Sequence, residues 1–318
     1  MLKSTLAQYY VSFKEQQGSL TINRKSDFEQ ARLEAKIIKA LHGVEKGLCL
    51  EKPRLGFGVS KINAMLDLAD KYIGLGYEDT FCLKMLRDAL KEYLEFHKEQ
   101  NYTNEKIKEI EIRLNKLIEH VGKDDEKFGG YVTVSKGEMD FSIEDVEKLI
   151  KTRHSVREFS GEKVEIEEIE KAIELAKLCP SACNRQCARV YYVSTEKYMQ
   201  DMKTNLEGIG GFADDAQGFL LVCGKRSAYG EWERNQYIVS AAIFAGYLSL
   251  TLHALGIAAC TVQRSVSIDP LWEEFREKNN VPKDEQIVVM FAIGKYKEMT
   301  KVPISKRFPV EKIFKEIK

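Results

Sequence analysis

The period of the apolar positions changes partway along the chain. Leu33, Ile37, Leu41 and Val44 recur at helical spacing, and so do Ile107, Ile110, Leu114 and Leu117. Between them, VSKINAMLDLADKYIGL (59–75) and FCLKMLRDALKEYLEFHKE (81–99) are two more amphipathic stretches, set apart by Gly56 and Gly58 and by Gly74 and Gly76. Strand-like alternation is nearly absent here. The pattern predicts an all-α unit over residues 1–121. The charged, glycine-bearing run GKDDEKFGGYVTVSKG then predicts a linker over 122–140.

From residue 141 the texture is mixed. Ser142 followed by Asp145 is a capping-box pattern that opens a helix running through Lys151. Ile166, Ile169, Ile173 and Ala176 mark a second helix. Short β-rich apolar runs follow at RVYYVS (189–194), GFLLVCG (218–224), IAACTV (257–262) and QIVVMFAIG (286–294). Between the second and third lies IVSAAIFAGYLSLTLHALG (238–256), apolar on every side and long enough to span a bilayer. Asn235, Gln236, Ser240, Ser249, Thr251 and His253 are spread along it, and no basic cluster biases one flank. The expected role is a buried core or interface helix, not a membrane span. Together these elements predict an α+β domain over 141–318.

Composition narrows the function classes. The chain has 318 residues, 44% hydrophobic and 31% charged, with 49 basic and 49 acidic side chains. That balance fits a globular protein and disfavours nucleic-acid binding through bulk charge. Seven cysteines and an N-terminal stretch, MLKSTLAQYYVSFKEQQ, without a signal-like apolar core lead to the expectation of free thiols in a reducing cytoplasm.

Four short stretches carry candidate chemistry. Arg153-His154-Ser155-Val156-Arg157 places two guanidiniums and a hydroxyl within five residues, a donor set matched to phosphate oxygens, although alone it equals a solvated helix end. Cys179-Pro180-Ser181-Ala182-Cys183-Asn184-Arg185-Gln186-Cys187 offers amide side chains to a heterocycle edge, or is simply a helix-terminating loop. Leu255-Gly256-Ile257 ends the apolar helix and re-enters as a strand carrying Thr261 and Gln263. Ser305-Lys306-Arg307-Phe308-Pro309 adds positive charge near the end of the chain.

Taken in order and at their spacing, these four stretches resemble the nitroreductase family of FMN-dependent oxidoreductases over roughly residues 145–318. The resemblance implies a central, mainly antiparallel sheet flanked by helices, here with an all-α N-terminal extension. It implies an intertwined homodimer, with FMN in clefts at the interface and the apolar helix at its centre. Arg153, Ser155 and Arg157, with His154 beside them, would contact the phosphate and ribityl chain. Ser181 and Asn184 would reach the isoalloxazine ring, with Gln186 a further cofactor contact, and Thr261 and Gln263 would lie on the ring's N5 side. Arg307, with Lys306 as a weaker second, would close on the phosphate. NADH or NADPH would deliver reducing equivalents, and an electron-poor small molecule such as a nitro compound or quinone would receive them. No side chain is assigned as a catalytic acid, base or nucleophile, since the chemistry is the cofactor's. The family usually continues from this glutamine into Pro-Trp, whereas Cys187 and Ala188 follow Gln186 here, and Arg264 stands near a position often held by a small residue.

Other readings remain open at this level. Cys179, Cys183 and Cys187 superficially resemble a three-cysteine iron–sulfur loop, but their even spacing and Pro180 disfavour a cluster, and no metal site is expected. A flavin-binding carrier or sensor without turnover, or a relative that consumes reduced flavin with oxygen, would need the same residues. His42-Gly43-Val44-Glu45-Lys46-Gly47-Leu48 with Pro53-Arg54-Leu55-Gly56-Phe57-Gly58 is either a helix stop and loop or a lid or partner site. His97, His120 and His253 are expected to be packing or surface residues.

Overall fold

The structure, a computed structural model, describes residues 25–140, 142–194, 214–262 and 270–317, with isolated positions between 9 and 22 and at 211. Among the described residues a 3-10 turn at Ser26–Phe28 leads into four helices: α1 (Glu29–Leu48), α2 (Val59–Gly74), α3 (Phe81–Glu99) and α4 (Glu105–Val121). Their stripes meet in one core that includes Ile37, Leu41, Ile62, Leu66, Tyr72, Leu86, Tyr93, Ile110 and Leu114. Burial of these faces against one another, more than intrinsic propensity, stabilises helices of this length. His97 lies fully buried among Phe57, Tyr93, Phe96 and Tyr102. Its Nε2 accepts from the Gly56 amide at 2.8 Å, and its Nδ1 lies 2.7 Å from the Tyr93 carbonyl, which fixes the Nδ1–H tautomer.

The predicted linker is not uniform. Its first part is fastened to the helices by Arg87, which is fully buried, pairs with Asp88 through Nε and Nη2 and reaches the Gly122 carbonyl and Asp124 at 2.9 and 2.8 Å. Asp88 also accepts from the Phe128 amide, and Glu45 accepts from Gly130. A charge-rich composition therefore marks internal ion pairs over this part of the predicted linker. Beyond Gly130 the residues up to Glu138 are exposed.

Past that segment come α5 (Ile143–Thr152), whose N-terminus is capped by Ser142 Oγ accepting from the Asp145 amide at 3.4 Å, and α6 (Ile166–Ala176). Then follow β1 (Ala188–Val193), β2 (Gly218–Lys225), α7 (Gln236–Ala254), β3 (Ile257–Val262), α8 (Pro270–Lys278) and β4 (Glu285–Lys295). The strands form one sheet in the order β1-β2-β4-β3, antiparallel throughout, with a bulge between Val222 and Cys223. One face carries Phe219, Leu221, Cys260 and Met290 with Val156 and Phe159. The other carries Leu220, Val222, Phe291 and Ile293 beneath α6 and α7, through Ala172, Phe244, Leu248 and Leu252. The fold is thus the expected α+β sheet flanked by helices, with a helical N-terminal region.

Helix α7 is long and apolar enough to cross a membrane, yet one side of it is packed on the sheet. The other side is open: Val239, Ile243 and Tyr247 are 50%, 38% and 44% exposed, and Ala242 and Gly246 lie between them. Within one chain the helix is therefore only half buried. The tail is also uncovered, with Ile304, Phe308, Val310, Ile313, Phe314 and Ile317 all exposed.

Candidate functional site

Helix α5 stops at Thr152, and Arg153 turns into extended backbone. The next residues run along the outer edge of β3: the Val156 amide donates to the Ala259 carbonyl at 3.0 Å, and the Ser160 amide to the Lys295 carbonyl at 3.0 Å. Val156 and Phe159 anchor this run in the core. The Phe159 ring lies so close on Gly294 that a Cβ there would meet it at 2.6 Å. Since Ala259 turns its carbonyl to this edge, the alternation of a strand aims the main-chain groups of Thr261 the same way. Thr261 itself is exposed, and Gln263 falls outside the described residues, as does Arg264.

Arg153, His154 and Ser155 are half-buried, and Arg157 is exposed with Nη1 3.3 Å from the Ser155 carbonyl. Arg153 makes no hydrogen bond or ion pair among the described residues. A half-buried guanidinium without a carboxylate is a strong anion binder. Beside it His253, near the end of α7, bridges Thr152 Oγ1 at Nε2 and the Tyr296 hydroxyl at Nδ1, both at 2.8 Å. Burial, and then the charges of Arg153 and His154, hold its pKa below the ordinary histidine value. The sequence-based expectation for His253 is a packing or surface residue; the two partners it bridges lie 101 and 43 residues away in sequence.

The second cluster is at the other end of α7. Ser181 Oγ accepts from the Gln186 amide at 3.0 Å, and the Ala182 amide donates to Ser240 Oγ at 3.4 Å. The Asn184 side chain is half-buried and makes no hydrogen bond among the described residues. Arg185, not singled out by its sequence context, is almost fully buried and paired with Glu233. Cys187, which with Ala188 stands in place of the Pro-Trp pair, is buried in a small cluster with Ala228, Tyr229 and Ala35 of α1, so the helical region packs against this loop. The Cys187 thiol faces the Tyr229 hydroxyl and the Tyr237 carbonyl, and burial pushes its pKa up. Cys179 and Cys183 are half-buried free thiols.

Ser240 and His253 are 13 residues apart on one helix, which separates the two clusters by about 20 Å. The chain therefore brings Arg153, His154, Ser155, Arg157 and Thr261 together, and separately Ser181, Asn184 and Gln186. Lys306 and Arg307 join neither group: both are exposed on the tail, with Arg307 turned back on the Ser305 carbonyl.

Solved structures similar to this chain include a nitroreductase family protein from Clostridium difficile 630 (23% identity, 53% of this chain and 95% of that one, TM-score 0.43). An FMN-dependent nitroreductase from Clostridium difficile R20291 is 22% identical over 53% of this chain and 98% of its own, with a TM-score of 0.45. A nitroreductase-like protein from Streptococcus mutans is 18% identical over 56% and 100%, with a TM-score of 0.46. At these identities the likeness concerns the fold alone. No curated protein matches the chain. Residues 150–207, which hold the Arg153 cluster and the Ser181–Gln186 loop, match the model of the nitroreductase family.

Proposed function

We propose that the protein is an FMN-dependent oxidoreductase that takes reducing equivalents from NADH or NADPH and delivers them to an electron-poor small molecule such as a nitro compound or quinone. The observation that carries this reading is the Arg153 cluster: two guanidiniums, a hydroxyl and outward strand amides on one edge, with Arg153 lacking an internal acid. Those donors fit a phosphate monoester and the polar edge of a flavin. Arg153 and Arg157 would hold the phosphate, Ser155 the ribityl chain, and the main chain at Thr261 the ring. Bound FMN supplies two-electron chemistry at its ring. Val156 and Phe159 keep the donor run rigid, and the buried side of β3 keeps water from its rear.

We further infer a homodimer. The open stripe of α7 and the exposed apolar tail each need a cover, and a second copy supplies both. A two-fold axis across the stripe runs two α7 helices antiparallel. The Ser240 end of one protomer then lies against the His253 end of its partner, and the two half-sites become two whole sites. A cytoplasmic setting agrees with seven free thiols.

The test is the visible spectrum of the purified protein, followed by anaerobic addition of NADH or NADPH. About one flavin per chain, bleached by either nucleotide, is expected. Protein that stays colourless and cannot be loaded with FMN overturns the reading. Bound flavin that resists both nucleotides points instead to a carrier or sensor.

A further inference from the structure

The loop between α6 and β1 has an unfavourable backbone. Cys183, Asn184 and Gln186 have φ of 54°, 53° and 46°, the left-handed region that residues with a Cβ rarely occupy. Such a conformation persists only where surrounding contacts over-determine it. Here they converge on Arg185, which has ordinary helical dihedrals between the strained residues. Nε of Arg185 donates to the Ala182 carbonyl at 3.0 Å, and Nη1 to the Ala228 carbonyl at 3.0 Å. Nη1 and Nη2 grip the two Glu233 oxygens at 2.9 Å each, and the guanidinium lies 4.0 Å from the centre of the Tyr229 ring. Glu233 also accepts from the Gly230 amide at 3.1 Å and from Lys39 Nζ at 2.9 Å. Lys39 belongs to α1, so the contact spans 194 residues of sequence and joins the helical region to the loop.

We infer that Arg185, clamped by Glu233 and through it by Lys39, is the positioning residue of the 181–186 loop, so that the N-terminal helices set the geometry in which Ser181, Asn184 and Gln186 meet a flavin. The inference rests on the FMN reading for its ligand and on the observed contacts for its mechanics. A planar fork makes two parallel bonds that an ammonium cannot reproduce, so Arg185→Lys keeps the charge and loses the clamp. Glu233→Gln weakens it from the other side. Lys39→Gln removes only the Lys39–Glu233 ion pair, leaves the packing of Ala35 on Cys187 in place and touches nothing in the loop.

The experiment measures three quantities on the full chain: FMN dissociation constant, visible circular dichroism of the bound flavin, and amide hydrogen exchange of residues 181–187 without flavin. Arg185→Lys and Glu233→Gln are expected to weaken FMN binding by about tenfold or more, change the dichroism and speed exchange in the loop. Lys39→Gln is expected to shift the same quantities in the same direction by a few-fold. Gly47→Ala, which perturbs the helical core far from the loop, serves as the stability control. It should lower the melting temperature while leaving flavin dichroism and loop exchange unchanged. Wild-type exchange, dichroism and FMN affinity in Arg185→Lys or in Glu233→Gln would overturn the positioning role. The same result in Lys39→Gln alone would remove the Lys39 link from it. If the wild-type protein binds no FMN, the flavin reading falls, and loop exchange still decides whether Arg185 holds the loop.

Discussion

Glu233 carries a charge that its surroundings strongly hold. Arg185 first, then Lys39 and the Gly230 amide, hold its carboxyl at about 2, against an ordinary 4.5. A carboxylate with a depressed folded-state pKa contributes stability that is fully present above its unfolded value and is lost as pH falls through the folded one. The window therefore runs from about 4.5 down to about 2. Allowing for the partial exposure of Glu233, the contribution is about 1 to 2 kcal/mol. Chemical unfolding of the wild type is expected to show this extra loss below pH 4.5, and Glu233→Gln to lack it, with lower stability at pH 7. Identical acid profiles would show that the clamp has no net worth. Arg153, Ser155 and Arg157 were legible in sequence because the donors lie within five residues. Arg185, Glu233 and His253 were not, since each acquires its role from a partner 43 to 194 residues away. Nothing local distinguishes a buried, clamped arginine from a solvated one.

Elements were the most legible level. Each of the four apolar β-rich runs became a strand and each amphipathic stripe a helix, because burial on one face imposes the period directly. The order of strands in the sheet lay beyond that signal, and so did the partial docking of the predicted linker, which depends on Arg87 pairing across α3 and the loop. The stretch from His42 to Gly58 finds a structural explanation for its glycines. Gly47 faces the Phe57 ring, where a Cβ would sit 2.2 Å from a ring carbon, and Phe57 is itself wedged against Tyr93 and Phe96. Gly58 begins α2 with φ of 69°. Gly43, on the same helix, is exposed and has nothing within 4 Å of a built Cβ. The two glycines should therefore respond oppositely to alanine. Gly47→Ala is expected to cost about 1 to 3 kcal/mol through overpacking. Gly43→Ala should be stabilising by about 0.5 to 1 kcal/mol through helix propensity. Thermal melts of the two variants check this, and a neutral Gly47→Ala would mean that the Phe57 ring moves aside freely.

At the scale of the whole molecule, the single chain looks incomplete in a consistent way. The two clusters inside the segment that matches the family model lie at opposite ends of α7, the helix between them bares an apolar stripe, and the tail carrying Lys306 and Arg307 is exposed. Each feature is unfavourable in isolation, and the proposed antiparallel pairing of two copies would relieve all three. If that pairing builds the site, the clusters act in trans, and defects in them should complement. On the proposed reading, Arg153→Ala removes the phosphate grip from one half-site, and Asn184→Ala removes a ring contact from the other. Each variant alone has both sites of its homodimer damaged and is expected to bind FMN poorly. When the two are mixed under conditions that exchange subunits, half of the dimers become mixed. Every mixed dimer has one site carrying both defects and one carrying neither. Flavin binding and nucleotide-dependent reduction should therefore recover to about a quarter of the wild-type level, counted per site. Recovery that tracks the mixing ratio, highest at equal amounts, would place the donors of one site on two chains. Mixtures that never exceed the average of the two variants would place both clusters in the same protomer, and would require the loop and the Arg153 run to approach across a distance that α7 now holds open.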